Sequence, residues 1–175
     1  MRRTLSTVAM LLLGGVLAPA AFAGTSGTST VTLAANATAT IDILTSGITV
    51  SPTSSDYDNN YHEAAGASGI DVRVKSNSST GMVLKVKCAD ASPQIALADL
   101  LIKTATAAGT GGASMSSYTA VTATDQNLWS TGVSQSSFKT VTTDVKIQNL
   151  FSYTDASGGG TTSYTNTLTY SVIVL

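Results

Sequence analysis

The sequence predicts an all-β domain, and three observations carry that prediction. Short segments alternate apolar with polar side chains, the period that buries one face of a strand and wets the other. No long segment repeats apolar residues at helical spacing. Charged residues are only 11% of the chain, while Thr, Ser, Ala and Gly dominate, and Thr suits a pleated, half-wet surface.

The clearest alternation runs from Gly69 to Cys88. Ile70, Val72 and Val74 share a face opposite Asp71, Arg73 and Lys75. Met82, Leu84, Val86 and Cys88 share one opposite Lys85 and Lys87. Between them, Ser76 to Gly81 is turn chemistry: Asn77 tolerates a left-handed backbone and Gly81 adopts one at no steric cost. The expected structure is an antiparallel hairpin covering one side of a core.

Residues 1–23 read as a secretory signal peptide. Arg2 and Arg3 form the basic end, Val8 to Pro19 the apolar stretch, and Ala21-Phe22-Ala23 a small-x-small cleavage site. Gly14, Gly15 and Pro19 interrupt the apolar stretch, which falls short of the roughly 20 residues a membrane span needs. Cleavage would leave Gly24 first, not the Cys of a lipoprotein. Residues 24–38 are then an N-terminal extension or donor strand, and 39–175 a single β-sandwich domain. Without Arg2 and Arg3 the acidic residues outnumber the basic ones, which disfavours a nucleic-acid partner.

Within the extension, Val31, Leu33, Ala35 and Ala37 lie on one face of an extended segment and Thr30, Thr32 and Asn36 on the other. This strand either joins its own sheet or is donated to another. Ala39, Ile41 and Ile43 begin the domain, and Gly47 to Val50 are expected to continue their strand until Pro52 stops pairing. Ser54 to Ser68 is very polar and reads as a solvated loop. Asp56, Asp58 and Asn60 have the spacing of calcium ligands, but Tyr61 and Ala67 stand where the loop needs Gly and Glu. His62 is the one histidine and Cys88 the one cysteine, so neither a zinc site nor an internal disulfide is available. Cys88 is expected in the core.

Ile95 to Thr106 is one helical turn followed by a strand, or a single strand. Ala107 to Ser117 is a loop, Tyr118 to Thr124 a short strand, and Asp125 to Ser136 a loop or edge holding Trp129, which either plugs a core or stacks on a sugar. In Phe138 to Asn149, Val141, Thr143, Val145 and Ile147 face inward. Asp155 to Thr161 makes the last turn around Gly158, Gly159 and Gly160. The closing strand carries Leu168, Tyr170, Val172 and Val174 on one face, with Ile173 and Leu175 making its other face apolar too. About seven such strands describe an immunoglobulin-like β-sandwich. No nucleophile with a base, phosphate loop or metal cluster is present in the sequence pattern, so no enzyme activity and no cofactor are expected.

Three stretches carry a resemblance: STVTLAANATATIDIL near the start, VKSNSSTGMVLKVKCADASPQIALADLL in the middle and SYTNTLTYSVIVL at the end. In this order and spacing they resemble the alternate chaperone–usher (alpha-type) fimbrial major subunits of Gram-negative bacteria. The chain departs from conventional pilins in having Val174, not Tyr, as its penultimate residue, and residues 107–137 lie outside the resemblance. The resemblance implies an incomplete sandwich filled by the N-terminal strand of the next subunit, with export through the periplasm to a cell-surface fimbria that supports adhesion. It implies copies of the chain as partners in a homopolymer, with a periplasmic chaperone and an outer-membrane usher. Val31, Leu33, Ala35 and Ala37 would be the donor strand, and Leu168, Tyr170, Val172 and Val174 would border the acceptor groove. SNSSTGMVLKV and the terminal strand are also similar to WxL-type or spore-coat-like secreted β domains. The alternative function is a monomeric secreted surface or carbohydrate-binding module, with Trp129, Tyr57, Tyr61 and Tyr118 as a stacking platform.

Overall fold

The computed structural model describes residues 30–107, 112–154 and 162–175. The signal peptide, the start of the N-terminal extension and the triple-glycine turn lie outside the described residues. Residues 30–34 belong to a unit separate from Ala35–Leu175 and have no regular secondary structure. The second unit contains ten strands among the described residues. In chain order they are β1 (Ala39–Ile43), β2 (Tyr61–Ala64), β3 (Ile70–Ser76), β4 (Met82–Cys88), β5 (Leu100–Ala107), β6 (Gly112–Ser114), β7 (Thr119–Ala120), β8 (Gln126–Thr131), β9 (Gln135–Gln148) and β10 (Leu168–Val174).

All pairings are antiparallel. One sheet runs β1-β3-β9-β5-β7 with β2 added beside β9, and the other runs β10-β4-β8-β6. The fold is therefore all-β, two sheets packed as a sandwich over one core. Its six main strands keep the chain order and neighbours of an immunoglobulin sandwich: β1, β3, β9 and β5 stand as strands A, B, E and D, and β4 and β10 as C and F. A seventh strand would lie along the outer edge of β10, where no strand pairs among the described residues.

The expected hairpin is absent. β3 pairs with β1 and β9, whereas β4 pairs with β10 and β8 in the other sheet. The faces are as the alternation requires, with Val72, Val74, Leu84 and Val86 at 0% exposure. The partners are not, because period-2 patterning decides which side of a strand is buried but says nothing about which strand lies beside it. Asn77–Gly81 thus arches from one layer to the other.

Four further expectations are corrected. Residues 30–38 do not pair in their own sheet, the first of the two readings of that segment, and pairing begins at Ala39. Gly47 to Val50 do not continue β1. The polar loop is structured: α1 (Ser54–Asn59) is followed by β2 and by a single helical turn at Gly66–Ser68. Asp56 begins α1 by accepting the Thr53 N–H and hydroxyl, both at 2.7 Å, and Asn60 ends it in a left-handed conformation at φ 58°. Finally, the expected loop or edge around Trp129 is β8, flanked by β4 and β6. A bulge opposite Leu84 and Lys85 turns both Leu128 and Trp129 inward, so the alternation that marks a strand is broken there. Gly112 permits this: a Cβ on it would lie 2.5 Å from the indole Nε1.

Of the two readings of residues 95–106, a turn followed by a strand is correct. The Asp99 and Leu100 N–H groups both bond to the Ala96 carbonyl before β5 begins. In β9, Val141, Thr143 and Val145 are buried and Ile147 partly so, as expected. Asp144, on the opposite face, is also buried at 4% exposure; it accepts the Gly66 N–H at 2.7 Å and pairs with Lys103 at 3.5 Å. Cys88 is a free thiol at 3% exposure, and burial pushes its pKa up. We expect slow reaction with a thiol reagent in the folded protein and fast reaction after denaturation. Fast labelling of the native state would mean that β4 presents its other face to the core.

Candidate functional site

The site begins where β1 stops. The Leu44 and Thr45 N–H groups still reach the Asp71 carbonyl, at 2.9 and 3.2 Å, and then the chain peels away. Residues 46–52 are in no strand and form no backbone–backbone hydrogen bond among the described residues. Pro52 lacks an N–H, and Gly47 contributes no side chain to hold the strand down. Ile48 and Val50 are half-buried while Thr49 and Ser51 are exposed, so the segment keeps one inward face without a sheet partner.

The opposite wall is the unpaired approach to β10. Residues 162–167 are fixed by side chains instead of a ladder: Gln94 accepts the Thr165 N–H at 2.7 Å, and the Asn166 amide exchanges hydrogen bonds with the Ile95 N–H and carbonyl at 2.9 and 2.7 Å. Between the walls lies a cavity of about 1060 Å³. Its apolar floor is built from Ile70, Ile95, Leu100, Val145, Ile147 and Leu150, residues of the core or packed on it. Tyr57 reaches the cavity from α1 and stacks on Phe151 with centroids 5.5 Å apart. Tyr153 and Tyr164 meet edge-on at 5.2 Å.

Edges differ in how they are finished. The outer strands β6 and β7 have only 3 and 2 residues, which blunts those edges. β10 has 7 residues and pairs on one side only among the described residues, with Ile173 near its end at 44% exposure and Leu175 just beyond it at 56%. An unpaired strand edge offers free N–H and C=O groups, and the cavity beside it offers an apolar floor, the two features that an added extended strand uses.

Of the expected groove residues, Leu168 and Tyr170 line the cavity. Val172 packs on the core farther along β10, and Val174 is half-buried at its far end; neither lines the cavity. Val31 and Leu33 are 93% and 87% exposed, and Ala35 and Ala37 are exposed outside any strand. Sequence reasoning missed the walls at 43–52 and 162–167, although Gly47 and Pro52, and the Thr/Ser/Asn run before Leu168, are the residues that keep these segments out of a ladder.

The other candidates resolve differently. Asp56 is committed to Thr53 and to His62, 3.1 Å away, and the Thr53 N–H holds its carboxyl down at about pKa 2. Asp56 and Asp58 are two residues apart on a helix and so do not face one another. No group of three or more His, Cys, Asp or Glu placed to hold a metal occurs among the described residues. Trp129 is 1% exposed, which leaves no indole face for a sugar. Tyr57 and Tyr61 are 37% and 36% exposed, while Tyr118 lies under the Lys103 ammonium at 4.4 Å. No helix among the described residues is long and apolar enough to cross a membrane.

No protein-family model matches the chain, and no curated protein matches it.

Three phenols around the core are pushed from 10 up to about 12: Tyr170 by burial, Tyr118 by burial and the Glu63 charge, and Tyr153 by burial and its hydrogen bond to Asp99. The unfolded chain loses these protons first, so their stabilisation is complete below pH 10 and is lost as pH rises towards about 12. A tyrosinate absorbance titration should show three of the six tyrosines ionising only with alkaline unfolding. Ionisation of Tyr118, Tyr153 and Tyr170 at the ordinary value with the fold intact would contradict this packing.

Proposed function

We propose that this protein is a structural subunit of an extracellular, pilus-like filament, built by inserting the N-terminal strand of one copy into the open sandwich of the next. The single observation that carries this reading is the apolar cavity of about 1060 Å³ between residues 43–52 and 162–170, at the position a seventh strand would occupy. An inserted strand adds main-chain hydrogen bonds along the β10 edge and drops alternate side chains onto the floor. Val31, Leu33, Ala35 and Ala37 have the required spacing and are exposed outside any sheet. Leu168 and Tyr170 would meet the incoming side chains, with Val172 and Val174 continuing the acceptor edge.

Export follows from the signal-peptide pattern of residues 1–23, and adhesion at the cell surface from the fimbrial resemblance. A free subunit would expose an apolar groove and an unpaired edge, which aggregate unless covered. A periplasmic chaperone and an outer-membrane usher are the partners that the fimbrial resemblance implies.

Deleting Gly24–Thr38 should leave a folded monomer by circular dichroism and abolish polymer by sedimentation; filaments from the deleted chain would end the proposal. In the intact chain, Ile48→Asp or Leu168→Asp should weaken assembly by about 3–5 kcal/mol, because a buried charge is left without a partner once the groove is filled. Thermal melting of the monomer separates this from a folding defect. Normal polymer from both folded variants would place the donated strand elsewhere.

A further inference from the structure

We infer that the two ends of the sandwich form a second, charge-complementary contact between successive copies of this chain, a conclusion that rests on the strand-exchange reading above. Strand directions define the ends. Ile70, Gln148 and Leu168 stand at the cavity end, and Ser76, Met82, Gln135 and Val174 at the other, about 20 Å away at the rise of a strand. Thr38 is fastened at that second end: its N–H bonds to Asn77 Oδ1 at 2.7 Å, and its carbonyl accepts the Asn77 N–H at 3.2 Å and the Ser76 hydroxyl at 2.8 Å. Residues 36–38 therefore lie at the end of the domain opposite the cavity. Donation into the next copy brings the exit end of one domain against the cavity end of its neighbour, a head-to-tail contact that repeats without closing.

These ends are oppositely charged. At the exit end, across residues 36–40, 74–84, 131–139 and 172–175, the charged side chains are Lys75 and Lys139, and neither has a carboxylate ion-pair partner among the described residues. At the cavity end, α1 presents Asp58, exposed and likewise without an ion-pair partner among the described residues. Both ends also expose apolar groups: Phe151 at 71% beside the cavity, and Leu175 at 56% with Val133 at 47% at the exit. Apolar groups flanked by opposite charges fit a second copy, the charges fixing register and encounter rate and the apolar groups supplying burial.

The test is a charge swap in polymer assembled from the full chain. Asp58→Lys alone, or Lys75→Glu with Lys139→Glu, sets like charges together and should lower assembly rate or raise disassembly rate about tenfold at low salt. All three changes in one chain restore opposite charges and should return both rates to within about twofold of the wild type. Phe151→Ala should shorten filament lifetime by more than the loss of its Tyr57 contact, read from the monomer's melting temperature, accounts for. Rates unchanged across the set, or losses that add with no rescue in the combined variant, overturn the contact and leave strand donation standing. A wild-type chain that stays monomeric overturns both.

Discussion

Asn77–Gly81 is the segment on which the rest of the sandwich depends, because it carries the chain from one sheet to the other. Ser76 closes β3 and Met82 opens β4, so Val72 and Val74 face Leu84 and Val86 across one core. Each such side chain, fully buried, contributes about 1.5–3 kcal/mol. The crossing is held sterically as well as by hydrogen bonds. Gly81 adopts φ +87°, and a Cβ there would lie 1.8 Å from the Thr131 carbonyl oxygen, inside the β8–β9 turn. Asn77 binds the start of the domain through its amide, donating to the Asn36 carbonyl at 2.9 Å. With Cys88 unpaired, no disulfide closes these layers; packing holds them, together with the Thr104 hydroxyl donating to the Leu128 carbonyl at 2.8 Å between the sheets.

That crossing also creates the opening. Since β3 and β4 lie in different layers, β1 flanks the first sheet and β10 the second, and their two edges come close together with no strand between them. β1 leaves its sheet after Ile43, and β10 is not paired until Leu168. The layers consequently part at one end, over Ile70, Leu100 and Val145. On the far side, β8 and β6 extend the second sheet and bury Trp129, so the core is sealed there. The sandwich is thus closed on one side and open beside β10.

Part of the site could be read directly from the chain. Leu168 and Tyr170 share the inward face of a terminal alternation, and their place at the cavity end of β10 brings them to the groove. Val31, Leu33, Ala35 and Ala37 are recognisable as one face of an extended segment. The capping box of α1, Thr53 with Asp56, was present in the sequence but masked by the calcium-like spacing of the same carboxylates. The wall at residues 47–51 was not readable from its alternation, because a segment that stays extended without a partner alternates like one inside a sheet.

What the sequence determined by itself is the face each strand buries. In β3, β4, β9 and β10 the inward residues are those the alternation marks, since side-chain direction in an extended chain follows from local geometry with period 2. The tertiary structure alone decided which strands are neighbours. It placed β3 and β4 in opposite sheets and inserted the bulge that turns Leu128 and Trp129 inward together. Pairing depends on how loops cross and on what every other strand has already covered. That is a property of the whole packed chain, and no window of residues contains it.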